Sequence, residues 1–244
     1  MPFYLILACA VLPALVLVYF IYRKDKYKKE PTSQLVKGFG YGALSALASF
    51  LISVPFLWLG LYPAEATSVA EHLQTAFYGA AIPEEVAKFF FLWLLLRNNP
   101  DFDEYVDGIV YAVCVGMGFA AFENIGYLFG NVDAWVSVGF MRAISAIPGH
   151  FFFAVMMGYF YSKAFFGKPS HRGIYFALAI LVPVLLHGAY DSILMVSTIA
   201  NLAGALFVLF LGLYVFMAVL TKRSFGRHLL ADEAAYKERM DAEG

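Results

Sequence analysis

The chain places groups able to activate water inside its most apolar stretches. One stretch runs Pro83-Glu84-Glu85-Val86-Ala87-Lys88. A second carries Phe122-Glu123-Asn124 and then Tyr127. A third carries Arg142 followed by Pro148-Gly149-His150, and a fourth runs His187-Gly188-Ala189-Tyr190-Asp191. Glu84 and Lys88, Glu123 and Tyr127, and His187 and Asp191 each stand four apart, so on a helix each pair shares a face. Hydrolysis needs an activated water, a group that stabilises developing negative charge, and a proton donor for the leaving group. Carboxylates beside imidazoles supply these parts. Glu84 or Glu85 is the candidate general base, with Lys88 as countercharge one turn from Glu84. His187 would assist the water or protonate the leaving group, oriented by Asp191. Glu123 and His150 complete the ring, and Asn124, Tyr127 and Arg142 are candidates for oxyanion or substrate contacts.

A metal is a second way to activate water. His150, His187 and Glu123, with Asp191 and the glutamate pair nearby, could ligate Zn²⁺ and leave an open position. The tight His-Glu-x-x-His spacing is absent, so a water activated by carboxylate alone stands beside the metal reading. Cys9 and Cys114 lie in separate apolar segments and suggest neither a disulfide framework nor a cysteine metal site. Ser145 and Cys114 lack the context of a nucleophile and are expected to pack. His72, His171 and His228 are expected to be solvated and inert.

The elements that must carry these residues are membrane helices. Of 244 residues, 61% are hydrophobic and 14% charged, too few charges for an ordinary soluble domain. Seven stretches are long enough to cross the hydrocarbon: residues 3–22, 38–60, 73–96, 105–128, 141–164, 173–195 and 202–220. Residues 131–140 fit an extension of the fifth span, an interfacial piece or a re-entrant one. The expected fold is an all-α polytopic membrane helical bundle of about seven transmembrane helices. Residues 1–221 would form one transmembrane domain and 222–244 a short cytoplasmic tail, a solvated or surface-lying helix. Apart from Lys88 and Arg142, every Lys and Arg falls at residues 23–37, at Arg97, at 163–172 or beyond 221. Seven spans put all four places on one side, which the positive-inside rule makes cytoplasmic, with the N-terminus outside. The net charge of −1 gives no sign of nucleic-acid binding.

A charge at mid-bilayer costs at least about 2.5–3.5 kcal/mol, so the ionisable residues of four spans must face one another. Pro83, Pro148 and Pro183 each free a carbonyl four residues earlier, tolerated at membrane depth only beside protein or water. Together they suggest a wet cavity opening to the extracytoplasmic side.

Glu-Glu-x-x-Lys, Phe-Glu-x-x-x-Tyr and a later His-x-x-x-Asp, in that order on successive spans, resemble the PrsW family of bacterial intramembrane proteases. That family is similar to the type II CAAX-prenyl endopeptidases, but Lys88 stands one position earlier than their Arg, and Asp191 stands where they have Asn. The resemblance implies a multi-pass plasma-membrane hydrolase, often described as metalloprotease-like. Its expected partners are membrane lipids and a single-pass membrane protein substrate, in the best-known members an anti-sigma factor. Two other readings stay open. Buried ion pairs can lock helices in a non-catalytic scaffold, and intramembrane Glu, His and Asp can form a proton or solute path.

Overall fold

The computed structural model describes residues 3–198 and 203–243. Among these there are helices and no strands: α1 Phe3–Lys24, α2 Thr32–Trp58, α3 Val69–Gln74, a π-helical segment Thr75–Ala81, α4 Ile82–Leu96, α5 Tyr105–Gly130, α6 Trp135–Ile144, α7 Ala146–Phe166, α8 Arg172–Ser197 and α9 Ala203–Glu243. Six helical stretches are long and apolar enough to cross a membrane: Phe3–Lys24, Thr32–Trp58, Tyr105–Gly130, Val132–Phe166, Pro169–Ser197 and Gly204–Ala242. The remaining expected span, residues 73–96, is helical throughout but divided by the π-helical segment into shorter pieces. The protein is an all-α polytopic membrane bundle. Part of the expected loop at 196–201, and the expected start of the last span at 202, lie outside the described residues.

Helix α5 is apolar on every side, the pattern of a helix with no solvent face, and it is buried along most of its length between α1, α2 and α7. Lipid chains are as apolar as leucine, so such contacts depend on close van der Waals approach. Gly42 and Gly118 provide it. A Cβ on Gly42 would stand 2.0 Å from the carbonyl oxygen of Val115, and one on Gly118 the same distance from that of Phe39. Gly108 and Gly158 bring α5 and α7 together in the same way.

Pro83 and Pro148 mark breaks whose freed carbonyls find partners. Pro83 follows the π-helical segment and leaves Gly79 O free, and Ser53 Oγ donates to it at 3.1 Å. Residues 131–140 form a short 3₁₀ turn and most of α6, and α6 bends into α7 at Ser145. Pro148 removes the donor for Ile144 O, and Tyr214 Oη donates to Ile144 O at 3.0 Å and to Ser145 O at 2.7 Å.

The expected helix after residue 221 is present, but one face of it is packed where solvent or the membrane surface was expected. Helix α9 runs without interruption from its apolar part to Glu243, and the last twenty-odd residues are not a free tail. Ser224, His228 and Asp232, each one turn apart, are buried. His228 Nε2 donates to Tyr159 O at 2.9 Å and its ring stacks on that of Tyr159. Asp232 accepts from the backbone N–H groups of Tyr105 at 2.7 Å and Val106 at 2.9 Å, capping α5 from a distance. His228 is thus structural, not solvated. His72, in α3, is also buried, because α3 packs against α8; His171 is exposed, as expected.

Beside the α5 cap, Asp25, Glu30 and Glu104 are buried. Burial, reinforced by the charges of Asp232 and Asp25, pushes the Glu104 carboxyl up to about 7. Burial raises Glu30 to about 7 against the opposing hydrogen bonds of Asp107 and Tyr111, and raises Asp25 to about 6 against the pull of Lys29.

Candidate active site

Glu84 and Glu85 occupy the first turn of α4, immediately after the π-helical segment. Glu123 and Asn124 lie on α5, Arg142 on α6, His150 near the start of α7, and His187 and Asp191 on α8. The side chains converge. Lys88 Nζ donates to Glu85 Oε1 at 2.8 Å and lies 3.4 Å from Glu84 Oε2. Its nearer partner is therefore Glu85, not Glu84, because Glu85 points inward with Lys88 while Glu84 turns toward open space. His187 Nδ1 lies 2.8 Å from the same Glu85 oxygen, and its Nε2 is 3.3 Å from Asp191 Oδ2 and 3.9 Å from Glu84 Oε2. Lys88 Nζ is 3.2 Å from His150 Nδ1, and His150 Nε2 is 3.1 Å from Glu123 Oε2. Arg142 pairs with Glu123 through Nη2 and donates from Nε to Asn124 Oδ1 at 2.5 Å.

Exposure separates the carboxylates. Glu85 is wholly buried, whereas the side chains of Glu84, Asp191 and Glu123 are 13%, 18% and 24% exposed. Two cavities meet at Glu84, Glu123 and Tyr127. One, of about 390 Å³, also reaches Arg142, His150, His187 and Asp191. The other, of about 440 Å³, lies between α2 and α5. Asn124 lines neither: it is buried, donating to Ala10 O at 3.3 Å while accepting from Arg142, so it positions Arg142 and α1. The Arg142 guanidinium stacks on the Tyr127 ring, 3.8 Å from its centre. Ser145 donates to Met141 O at the α6–α7 bend, and Cys114 is buried and free.

Several site residues carried no signal in the sequence. Phe119 lies beneath the Lys88 ammonium at 3.8 Å, and Phe153 stacks on the His187 ring at 4.8 Å. In a chain with 25 Phe, nothing in their spacing sets these two apart. Gly188 had a detectable place beside His187. A Cβ there would stand 2.3 Å from a ring carbon of Phe77, so glycine lets the π-helical segment lie against α8 and brings Glu85 onto His187.

Four of these groups lie close enough together to hold a metal ion, with different membership from that expected. Glu84, Glu85, His150 and His187 each offer one ligand atom, all within 4.8 Å of one another. Glu85 Oε2 is buried with no hydrogen-bond partner among the described residues, an acceptor left over inside the group. Glu123, expected as a ligand, sits on the far edge of the His150 ring and is held there by Arg142. Lys88 Nζ is the cation among these donors.

Paired carboxylates and imidazoles, enclosed by membrane helices and reached by a cavity, are the parts that a hydrolase working within the bilayer needs. The family described as PrsW family intramembrane metalloprotease matches residues 30–220, and the chain belongs to that family. It is similar to Protease PrsW of Clostridioides difficile, 35% identical over 77% of this chain and 78% of the relative. It is likewise similar to Protease PrsW of Geobacillus kaustophilus, 34% identical over 78% and 80% of the two chains. Protease PrsW of Bacillus subtilis is 33% identical over 78% and 82%. No solved structure matches. The protein is a multi-pass intramembrane peptidase.

Proposed function

We propose that this peptidase cuts a single-pass membrane protein near the extracytoplasmic side of the plasma membrane, with Glu84 as general base. The observation that carries the reading is the meeting of Glu84, Glu85, His150 and His187 from three helices, with Glu84, His150 and His187 lining one cavity and Glu85 buried behind them. Glu84 is the carboxylate of the pair that faces that cavity, and it takes the proton of the attacking water. His187 Nε2, the ring nitrogen nearer Glu84, delivers a proton to the leaving nitrogen. Glu85 holds His187 through Nδ1, and Asp191 holds it through Nε2. Arg142 and Tyr127, at the cavity wall, are suited to the substrate carbonyl. Glu123 positions Arg142 and His150.

To hold a divalent ion such as zinc, Glu84, Glu85, His150 and His187 would have to exchange their present partners, Lys88 among them, for the ion, and Glu84 would then act as a ligand in place of a base. When bound, the ion polarises the scissile carbonyl and supplies a water that is acidic near neutral pH. The positive-inside pattern supports an outward opening for the cavity, and the family resemblance supports an anti-sigma factor as the kind of substrate.

The test compares membrane proteomes of cells expressing the wild type, Glu84→Gln or Glu85→Gln. A stable cleavage product of a single-span protein should appear with the wild type alone, while all three proteins insert and accumulate. Equal cleavage by the variants would overturn the assignment.

A further inference from the structure

The cavity between α2 and α5 has a shape set by two glycines. Near Gly42 and Gly118 the two helices touch backbone to backbone, with Gly38 against Cys114 one turn further back. From that pivot they run in the same direction and separate. The opening is walled by Ala46, Ser49 and Phe50 on α2, and by Phe119, Phe122 and Gly126 on α5. Phe50 is 65% exposed and Phe122 36%, so the mouth lies on the lipid-facing perimeter of the bundle. The inner end is Glu84 and Glu123, the same carboxylates that close the polar cavity.

We propose that this groove receives the apolar residues of the substrate on the membrane side of the bond that is cut, entering sideways from lipid. The proposal rests on the peptidase reading above and names the subsite it leaves open. Three observations carry it. The groove is continuous with the site through Glu84, Glu123 and Tyr127. Its volume of about 440 Å³ suits a short stretch of chain. Its lining contains no Lys or Arg, whereas Arg142 lines the other cavity. The groove therefore favours uncharged apolar side chains and repels acidic ones, through its phenylalanines and the two glutamates. Its serine hydroxyls are already engaged: Ser49 donates to Ala46 O, and Ser53 is bonded to Tyr62 and Gly79. The polar cavity is left for water and for the outer side of the substrate.

Gly126 gives access to the test, because a Cβ there would meet nothing within 4 Å. The Glu85→Gln protein, in liposomes, carries a p-benzoylphenylalanine photocrosslinker at position 50. The comparison position is 207, in an apolar cavity of about 500 Å³ that α6, α8 and α9 form and that shares no lining residue with the groove. The probe is a synthetic single-span peptide with an alanine–leucine span of about 20 residues and a polar outer stalk. Crosslinking from position 50 should exceed that from position 207 by about tenfold or more. It should fall to the level of position 207 on adding Gly126→Leu or Gly126→Trp, or when two residues at the outer end of the peptide span are Asp. Equal yields at the two positions would mean that lipid merely fills the groove. That result, or yields indifferent to both Gly126 substitutions, would overturn the proposal. Hydrolysis does not enter the readout, so failure here leaves the proteomic test of Glu84 and Glu85 untouched, and the converse also holds.

Discussion

Lys88 Nζ stands 3.2 Å from Nδ1 of His150, joining α4 to α7. An ammonium group can only donate, so Nδ1 is an acceptor and the imidazole carries its proton on Nε2, facing Glu123 at 3.1 Å. The lysine thereby sets the tautomer of one histidine while neutralising Glu85, which in turn orients the other histidine at 2.8 Å. One buried cation organises both imidazoles.

Removing that cation should be costly. Lys88→Met takes from buried Glu85 its cationic partner and leaves it His187, expected to destabilise the fold by about 3 kcal/mol. Adding Glu85→Gln to Lys88→Met should restore much of the stability and none of the activity. Thermal unfolding in detergent, read as a double-mutant cycle, checks this; additive losses would show that the pair is not coupled.

Glu84 and Glu85 should fail differently. Glu84→Gln removes the base and should lower turnover by about 10²–10⁴-fold with little change in stability. Glu85→Gln should lower both, because Glu85 is wholly buried between Lys88 and His187. Turnover and melting temperature measured side by side decide the matter, and a Glu84→Gln protein that turns over normally would remove Glu84 from the chemistry.

Gly188→Ala should act at a distance of one side chain. The new methyl group would displace Phe77 and, with it, the π-helical segment that leads into Glu84 and Glu85. A displacement near 1 Å is enough to cost about 10²-fold in rate. Gly212→Ala, on α9 where an added Cβ meets nothing, serves as the control and should leave turnover unchanged.

The metal reading predicts about one equivalent of a divalent ion in protein purified without chelator. His150→Ala and His187→Ala should each lose it, and chelation should abolish cleavage reversibly. Elemental analysis showing no metal in an active, chelator-resistant preparation would favour the carboxylate acting alone.

The basic end of the molecule should show a pH-dependent stability of its own. Glu104 and Glu30 release their protons near 7 in the folded protein, against 4.5 for an ordinary glutamate. Between those values the native state binds more protons than the unfolded one, so these groups make stability fall as pH rises from about 4.5 to 7. Glu104→Gln and Glu30→Gln should each flatten that slope, raising the melting temperature near neutrality by a few degrees. Identical pH profiles for wild type and both variants would count against it.

Much of this architecture was written in the order of residues. Hydropathy marks the spans because a segment in lipid must be apolar and must satisfy its own backbone groups. The distribution of Lys and Arg suggests which ends share a side, and the four-residue spacings of Glu84/Lys88 and His187/Asp191 are properties of a helix alone. The cluster itself was legible for the same reason: isolated charges are too costly in hydrocarbon to be scattered.

Tertiary structure decided what spacing cannot encode. Glu84 and Glu85 are neighbours with the same side chain, yet one faces a cavity and the other is enclosed, because the π-helical segment and Gly188 set the angle at which α4 meets α8. Glu123 was the carboxylate expected beside the two histidines, and Arg142 holds it at the far edge of His150, leaving Glu85 as the carboxylate against His187. The last part of α9 read as a solvated or surface-lying helix, since the one-turn recurrence of Ser224, His228 and Asp232 has meaning only once α7 and the start of α5 lie opposite. Local chemistry selects helices and the medium they occupy; which polar groups meet depends on how the helices cross, and that is settled by contacts between residues far apart in the chain.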